Sequence, residues 1–204
     1  LHLLRFLTLG ILMSSTMPLF SQSITEFHYD NASTDMNEFV EVTLPTGATA
    51  SCFTIFLING SNNSEYNSFP LGAVPNSSGC AGGTTDIYSV LVPGIQNGGP
   101  DGIALVNTCT NMVEEFISYE GMIAGASFGG FTGQNSTDVL ASEPGSGPTT
   151  GSIAFDGSAW VLVDPATPGA PNDGSACSGG ATCSITAVMI ISAVCVGDNF
   201  DYEI

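Results

Sequence analysis

Few residues in this chain are of the types that do chemistry. Nucleophilic catalysis by Ser or Cys needs an imidazole to accept the proton, and the chain has two histidines, His2 and His28. His2 lies in an N-terminal stretch read below as a leader, so His28 is the one imidazole left for such work. It sits in an alternating segment, the setting of an ordinary strand residue, and no Gly-x-Ser-x-Gly elbow precedes a helical pattern. No catalytic residue is assigned. Glu114 and Glu115 are the one adjacent carboxylate pair in a strand-like segment. On a regular strand neighbours point to opposite faces, so they are not expected to flank a glycosidic bond as acid and nucleophile.

Metal ligation is better served. Asp30, Asn31, Asp35, Asn37 and Glu38 form an oxygen-rich loop between two strand-like segments. Calcium takes six to eight oxygen ligands, which makes it the cofactor this loop suits, although the spacing is not that of an EF-hand. The reading preferred for this loop is nevertheless an ordinary one, in which the Asx side chains cap their own turns, so no cofactor is expected and calcium is the alternative. Zinc fits poorly, because the six cysteines include no C-x-x-C pair. Cys52, Cys80 and Cys109 lie in the body of the chain, and Cys177, Cys183 and Cys195 lie near its end. All six are disulfide candidates. Two of the first three are expected to pair and pin a loop to a sheet. Three on each side cannot all pair locally, so a bridge between the two groups, partners elsewhere and free thiols stay open.

Charge narrows the partners. The 204 residues carry 19 Asp and Glu but a single Lys or Arg, which is Arg5. Gripping a nucleic-acid backbone requires Lys and Arg against phosphates, and a basic phosphate clamp needs the same residues. Direct nucleic-acid binding is therefore not expected, whereas a protein or polysaccharide partner is compatible. With 43 % hydrophobic residues the chain is not of disordered type.

The elements that would position these residues are strands. Residues 1–21 read as a secretory signal peptide: Arg5 near the start, an apolar run from Phe6 to Met13, a break at Pro18 and a small residue at Ser21. That predicts a secreted or cell-surface location and no membrane span in the mature chain. From 22 to 172, period-two segments recur at Ile24–Tyr29, Phe39–Leu44, Phe53–Ile58, Ile87–Val92, Ile103–Val106, Val113–Tyr119, Ile153–Phe155 and Trp160–Val163, with Asn-Gly and Asp-Gly turns between them. No 3.6-residue stripe appears. The fold expected is all-β, an immunoglobulin-like β-sandwich. Val40, Val42 and Leu44 should face its core, with Glu41 and Thr43 opposite. Gly121 to Gly151 shows no pattern and reads as a surface or binding loop. Residues 173–182 read as a Gly/Ser linker, and 183–204 as the start of a second β domain that continues past Ile204; the alternative is a strand that completes the first sheet.

Several of these segments, in order, carry a family resemblance. Ile24-Thr25-Glu26-Phe27-His28-Tyr29-Asp30-Asn31 with Asn37-Glu38-Phe39-Val40-Glu41-Val42 resembles the opening of a lamin-tail domain of the bacterial secreted kind. Ser51 to Gly60 is similar to the family's next strand, with Cys52-Phe53 where Gly-Trp or Gly-Tyr is more usual. Gly94 to Val106, Glu115 to Gly121, and Trp160 to Val163 followed by Ala166-Thr167-Pro168-Gly169-Ala170-Pro171-Asn172 resemble its central and closing stretches. The resemblance spans about residues 24–172. It implies an immunoglobulin-like accessory module without a catalytic centre, in structural, adhesive or substrate-positioning roles within a larger extracellular protein. The alternative it implies is an accessory domain of a secreted nuclease or phosphatase whose catalytic domain lies beyond residue 204.

Overall fold

Alternating apolar residues in a strand demand a second apolar surface to bury them, and Val40, Val42 and Leu44 of Phe39–Pro45 find one in the facing sheet. The computed structural model describes residues 22–32, 34–146 and 150–178, together with the pairing of two short strands at 192–194 and 201–203. The expected signal peptide, Cys183, Cys195 and linker residues 179–182 lie outside the described residues.

All eight expected strand segments are strands. They are β1 (Ser23–His28), β2 (Phe39–Pro45), β3 (Phe53–Asn59), β6 (Thr85–Leu91), β7 (Asp101–Asn107), β8 (Met112–Tyr119), β12 (Ser152–Phe155) and β13 (Trp160–Val163). Five further strands join them: β4 (Ser64–Pro70), β5 (Ser77–Gly79), β9 (Ala126–Phe128), β10 (Phe131–Gln134) and β11 (Thr137–Asp138). One sheet runs β13-β12-β1-β2-β6-β5, the other β10-β9-β4-β3-β7-β8-β11. The molecule is an all-β, immunoglobulin-like sandwich. β14 (Ser192–Val194) and β15 (Asp201–Glu203) pair with each other in a separate two-stranded sheet.

The core between the sheets contains Val40, Val42 and Leu44 from β2, Ile55 and Leu57 from β3, and Ile103 and Leu105 from β7. The expected facing of β2 therefore holds. In β1 the alternation slips: a bulge at Thr25 lets Ile24 and Phe27, three residues apart, both enter the core. β3 is apolar on both faces because both are covered. Its Phe56 and Ile58 join Ala104, Val106, Phe116, Ile123, Ala126 and Phe128 in a second cluster on the far side of the sheet. That cluster explains Gly121–Gly151. The segment carries β9, β10 and β11, and it covers the outer face with Phe128, which is 2 % exposed. Its Gly and Ser content hid strands too short to show a period.

Two disulfides fasten the sandwich. Cys52–Cys109 joins the start of β3 to the turn after β7, the local pairing expected within the first three cysteines. Cys80–Cys177 bridges the two cysteine groups. Ser178 donates its N–H to Gly79 O at 2.9 Å beside it. Residues 173–178, expected to begin a linker, are thus tied to the first sheet. Two such bridges fit an oxidising compartment. No helix among the described residues is long and apolar enough to cross a membrane.

If the 121–151 segment is part of the fold, Phe128→Ala should lower the unfolding free energy by about 3–5 kcal/mol in urea denaturation. Leu140→Ala, at a side chain 89 % exposed, should change it by less than about 0.5 kcal/mol.

Candidate functional site

A carboxylate removed from water needs donors, and this chain has almost no cationic side chains to supply them. The oxygen-rich loop shows what takes their place. His28 Nδ1–H donates to Glu143 Oε1 at 2.6 Å, while Glu143 Oε2 accepts the N–H groups of Tyr29 and Asp30 at 2.7 and 2.9 Å. Asn31 Oδ1 accepts the Met36 N–H at 2.6 Å. Its Nδ2 therefore faces His28 Nε2, 2.6 Å away, and donates to it. The imidazole is fixed as the Nδ1–H tautomer with both nitrogens engaged, and it is 2 % exposed. Burial lowers the His28 pKa; the hydrogen bond and charge of Glu143 raise it, and the net shift is upward.

The five residues considered for calcium are drawn into this network and into the loop before β7. Asp35 Oδ1 accepts the Asn31 N–H at 3.1 Å. Asp35 Oδ2 lies 3.4 Å from Asn97 Nδ2. Glu38 accepts the Gly94 N–H at 2.7 Å, and Asp30 is paired with Asn97. Asn37 turns the chain with a φ of 61°. Among the described residues no group of three or more His, Cys, Asp or Glu is arranged to hold a metal ion. The loop at 94–99 supplies donors to further acids: Gly98 N–H to Asp101, and Gly99 N–H to Glu120 at 3.1 Å. Gly99 has to be glycine, since a Cβ there would lie 2.2 Å from Glu120 Cβ.

The same device appears under the segment after β13. Glu26 and Glu41 are cross-strand partners on the outer face of the first sheet, where solvent was expected. Both are buried, because residues 164–178 lie across them like a strap. Glu26 accepts Thr167 N–H and Thr167 Oγ1–H, both at 2.8 Å, and the Ser152 hydroxyl. Glu41 accepts Thr25 Oγ1–H at 2.8 Å and Gly169 N–H at 2.7 Å. Gly169 has a φ of +82°, and a Cβ on it would meet Asn76 Cβ at 2.7 Å. Asn172 donates to the carbonyls of Thr25 and Phe155 at 2.8 and 3.2 Å. Thr167, Gly169 and Asn172 therefore form the strap's fastening. A groove of about 320 Å³ beside it is lined by Thr25, Glu41, Phe155, Asp156 and Asn172 among others, but these polar groups are occupied within the chain.

A different site opens where the edges of the two sheets meet. β8 contains a bulge: Leu105 pairs with Glu115 and Val106 with Val113, which leaves Glu114 as the extra residue. Val113 and Phe116, three apart, both pack on the outer cluster, which strict alternation forbids. The expectation that Glu114 and Glu115 part to opposite faces is corrected by this bulge. Both line one cleft of about 390 Å³, with Gln134, Asn135, Thr137 and Trp160. Glu115 Oε2 accepts the Ile24 N–H at 2.6 Å, and burial raises its pKa against that bond. No described residue hydrogen-bonds the Glu114 carboxylate, the Thr137 hydroxyl or the Trp160 indole N–H. Asn135 Oδ1 accepts Gly125 N–H at 3.0 Å, which leaves its Nδ2 facing outward as a donor. Trp160 rests on Phe27 and Phe155, ring centroids 5.6 and 5.7 Å away. Sequence reasoning missed Gln134, Asn135, Thr137 and Trp160. The available signals were the lone Trp and the pattern Val113-Glu114-Glu115-Phe116, in which two acids separate two same-face apolar residues.

The buried carboxylates give stability a definite pH dependence. Burial, with the charge of Glu26 adding to it, raises Glu41 from 4.5 to about 8 against the bonds from Thr25 and Gly169. Burial likewise lifts Asp101 from 3.8 to about 6. A raised carboxyl holds its proton more tightly when folded, so its stabilising contribution is complete below the unfolded pKa and disappears as pH rises through the folded one. For Glu41 that window is pH 4.5 to about 8. The raised His28 adds a loss in the same direction above 6.5. Asp86 acts oppositely: burial is outweighed by bonds from Ser78, Gly79, Thr46 and Gly47, its pKa is lowered, and its contribution disappears in acid below 3.8. The Tm should therefore fall between about pH 5 and about pH 8.5, and Glu41→Gln should raise it at the higher pH while leaving it unchanged at the lower. A Tm that rises across this range in differential scanning calorimetry would contradict the assignment.

Compared with protein-family models, with curated proteins and with solved structures, the chain matches none.

Proposed function

We propose that the chain is a secreted, non-enzymatic β-sandwich module of lamin-tail type, serving structural, adhesive or substrate-positioning roles in a larger extracellular protein. The observation that carries this reading is the fate of His28. The one imidazole outside the expected leader is buried, and both its nitrogens are held by Glu143 and Asn31. It has no lone pair to offer a Ser or Cys nucleophile. The two disulfides support a secreted location. The stretches that carry the family resemblance support the module type, because each has a definite task in the sandwich. Glu26 and Glu41 anchor the strap, Gly94 and Gly98 supply N–H groups to the buried acids Glu38 and Asp101, and Thr167, Gly169 and Asn172 close the strap over the sheet.

The test is to express residues 1–204 in a secreting bacterial host and analyse what leaves the cytoplasm. The released protein should begin near Gln22, carry Cys52–Cys109 and Cys80–Cys177 in non-reducing peptide maps, and show no turnover of nucleic acid or phosphomonoesters. Retention in the cytoplasm with the leader attached, or metal-dependent cleavage by the released protein, would overturn the proposal.

A further inference from the structure

We propose that the cleft between β8, the β10–β11 turn and β13 is a binding site for a neutral oligosaccharide, with Glu114, Gln134, Asn135 and Thr137 as hydrogen-bonding groups and Trp160 as the apolar platform. The inference deepens the adhesive reading given above and rests on it.

The first argument is the state of the polar groups. Elsewhere among the described residues the carboxylates are engaged by the chain's own N–H and O–H groups. Here the residues that carry a carboxylate, a hydroxyl, an amide NH₂ and an indole N–H without partners among the described residues, Glu114, Thr137, Asn135 and Trp160, line one cavity of about 390 Å³. The β8 bulge creates this grouping by turning Glu114 to the side of Glu115.

The second argument is the chemistry of the set. Each sugar hydroxyl both donates and accepts, so it is matched by a mixture of carboxylate, amide and hydroxyl. The C–H face of a pyranose needs a flat apolar surface, which an indole supplies. A drug-sized ligand fills roughly 300–1,000 Å³, and the cleft lies at the lower end of that range, the size of a short oligosaccharide. No Lys or Arg lies anywhere in the described residues. Sulfated, phosphorylated and uronic-acid glycans therefore meet only like charge, and the ligand class is neutral. A basic peptide is the competing occupant. The cleft favours sugar because three of its four hydrogen-bonding side chains with room for a ligand are uncharged, and Glu115 is already held by Ile24.

Trp160 is the only tryptophan in the chain, so its emission reports on this cleft alone. The probes are tetrasaccharides of β-1,4-glucan, β-1,3-glucan, β-1,4-xylan, β-1,4-mannan and N-acetylglucosamine, with a sulfated tetrasaccharide and an oligolysine peptide as comparators. At least one neutral sugar should change the emission saturably, with little dependence on salt. Glu114→Gln and Asn135→Ala should each weaken that response about fivefold or more, while Val74→Ala, at an exposed side chain that does not line the cleft, should leave it unchanged. Asn135 and Thr137 are exposed, so Asn135→Ala and Thr137→Ala keep the test open if a change at Glu114 disturbs folding. No saturable response to any neutral sugar at about 10 mM, a response unaltered in Glu114→Gln and Asn135→Ala, or a stronger response to oligolysine would each overturn the assignment. None of these results bears on leader removal or disulfide pairing, so failure here leaves the module reading separately testable.

Discussion

A buried carboxylate in a fold whose described residues include no lysine or arginine has to be neutralised by something else, and that requirement shapes this molecule more than its apolar core does. Glu26, Glu38, Glu41, Asp86, Asp101 and Glu143 are all buried. Their donors are backbone N–H groups, hydroxyls and, in one case, His28. An N–H donor is attached to the backbone and cannot swing across the surface as a lysine can. Each carboxylate therefore fixes the path of a particular segment. Glu26 and Glu41 fix the strap at 164–178, Glu38, Asp101 and Glu120 fix the loop at 94–99, and Glu143 fixes the turn after β1. The acids act as staples between segments far apart in sequence.

This arrangement accounts for the glycines as well. Ile24, Tyr29, Asp30 and Thr167 donate to carboxylates with a Cβ in place, but at two other donor positions the backbone path leaves no room for one. Gly99 donates to Glu120 with that residue's Cβ too close to admit a methyl group. Gly169 donates to Glu41 from a left-handed conformation. A cationic side chain would have tolerated many backbone paths, whereas an N–H cap selects one. Two unpartnered oxygens, Glu38 Oε1 and Asp101 Oδ2, mark where the supply of donors falls short, and burial raises both groups' pKa. The proton takes the place that a cation would fill, which is why stability should favour mildly acidic solution.

Much of the sandwich was legible because its central strands obey a simple rule. Val40-x-Val42-x-Leu44 alternates, and Phe53–Ile58 is apolar on both faces because both are covered. The rest was hidden for identifiable reasons. β4 reads Ser64-Glu65-Tyr66-Asn67-Ser68-Phe69-Pro70, a turn-like composition, and is held as a strand by pairing with β3. β9 to β11 are two to four residues long, below the length at which a period can be seen. Glu41 was placed correctly on the outer face, but its burial depends on a strap more than 120 residues away in sequence. The Glu26–Glu41 pairing and the network of His28, Asn31 and Glu143 are products of tertiary contact, to which local pattern is blind. Of the six cysteines, the pairing of Cys52 with Cys109 followed the expectation of a local bridge, while Cys80–Cys177 required knowing that the strap returns to the first sheet.

The cleft at β8 is informative because it departs from the rule that governs everything else. A strand with strict alternation would have sent Glu114 to the outer face beside Phe116, where its charge would oppose an apolar cluster. The bulge keeps Val113 and Phe116 together on that cluster and sends both glutamates to the seam between the sheets. Packing thus forces two acids to one side, and Ile24 satisfies only Glu115. The chain caps acids elsewhere with segments that cross over them, and no described segment crosses Glu114. A carboxylate left in an open cavity beside the sole indole and a row of uncharged donors and acceptors has an environment suited to an external polyol. The bulge is needed for packing whatever Glu114 does, and what distinguishes the cavity is that Thr137, Trp160 and the amide nitrogen of Asn135, whose oxygen is held by Gly125, line it together with Glu114.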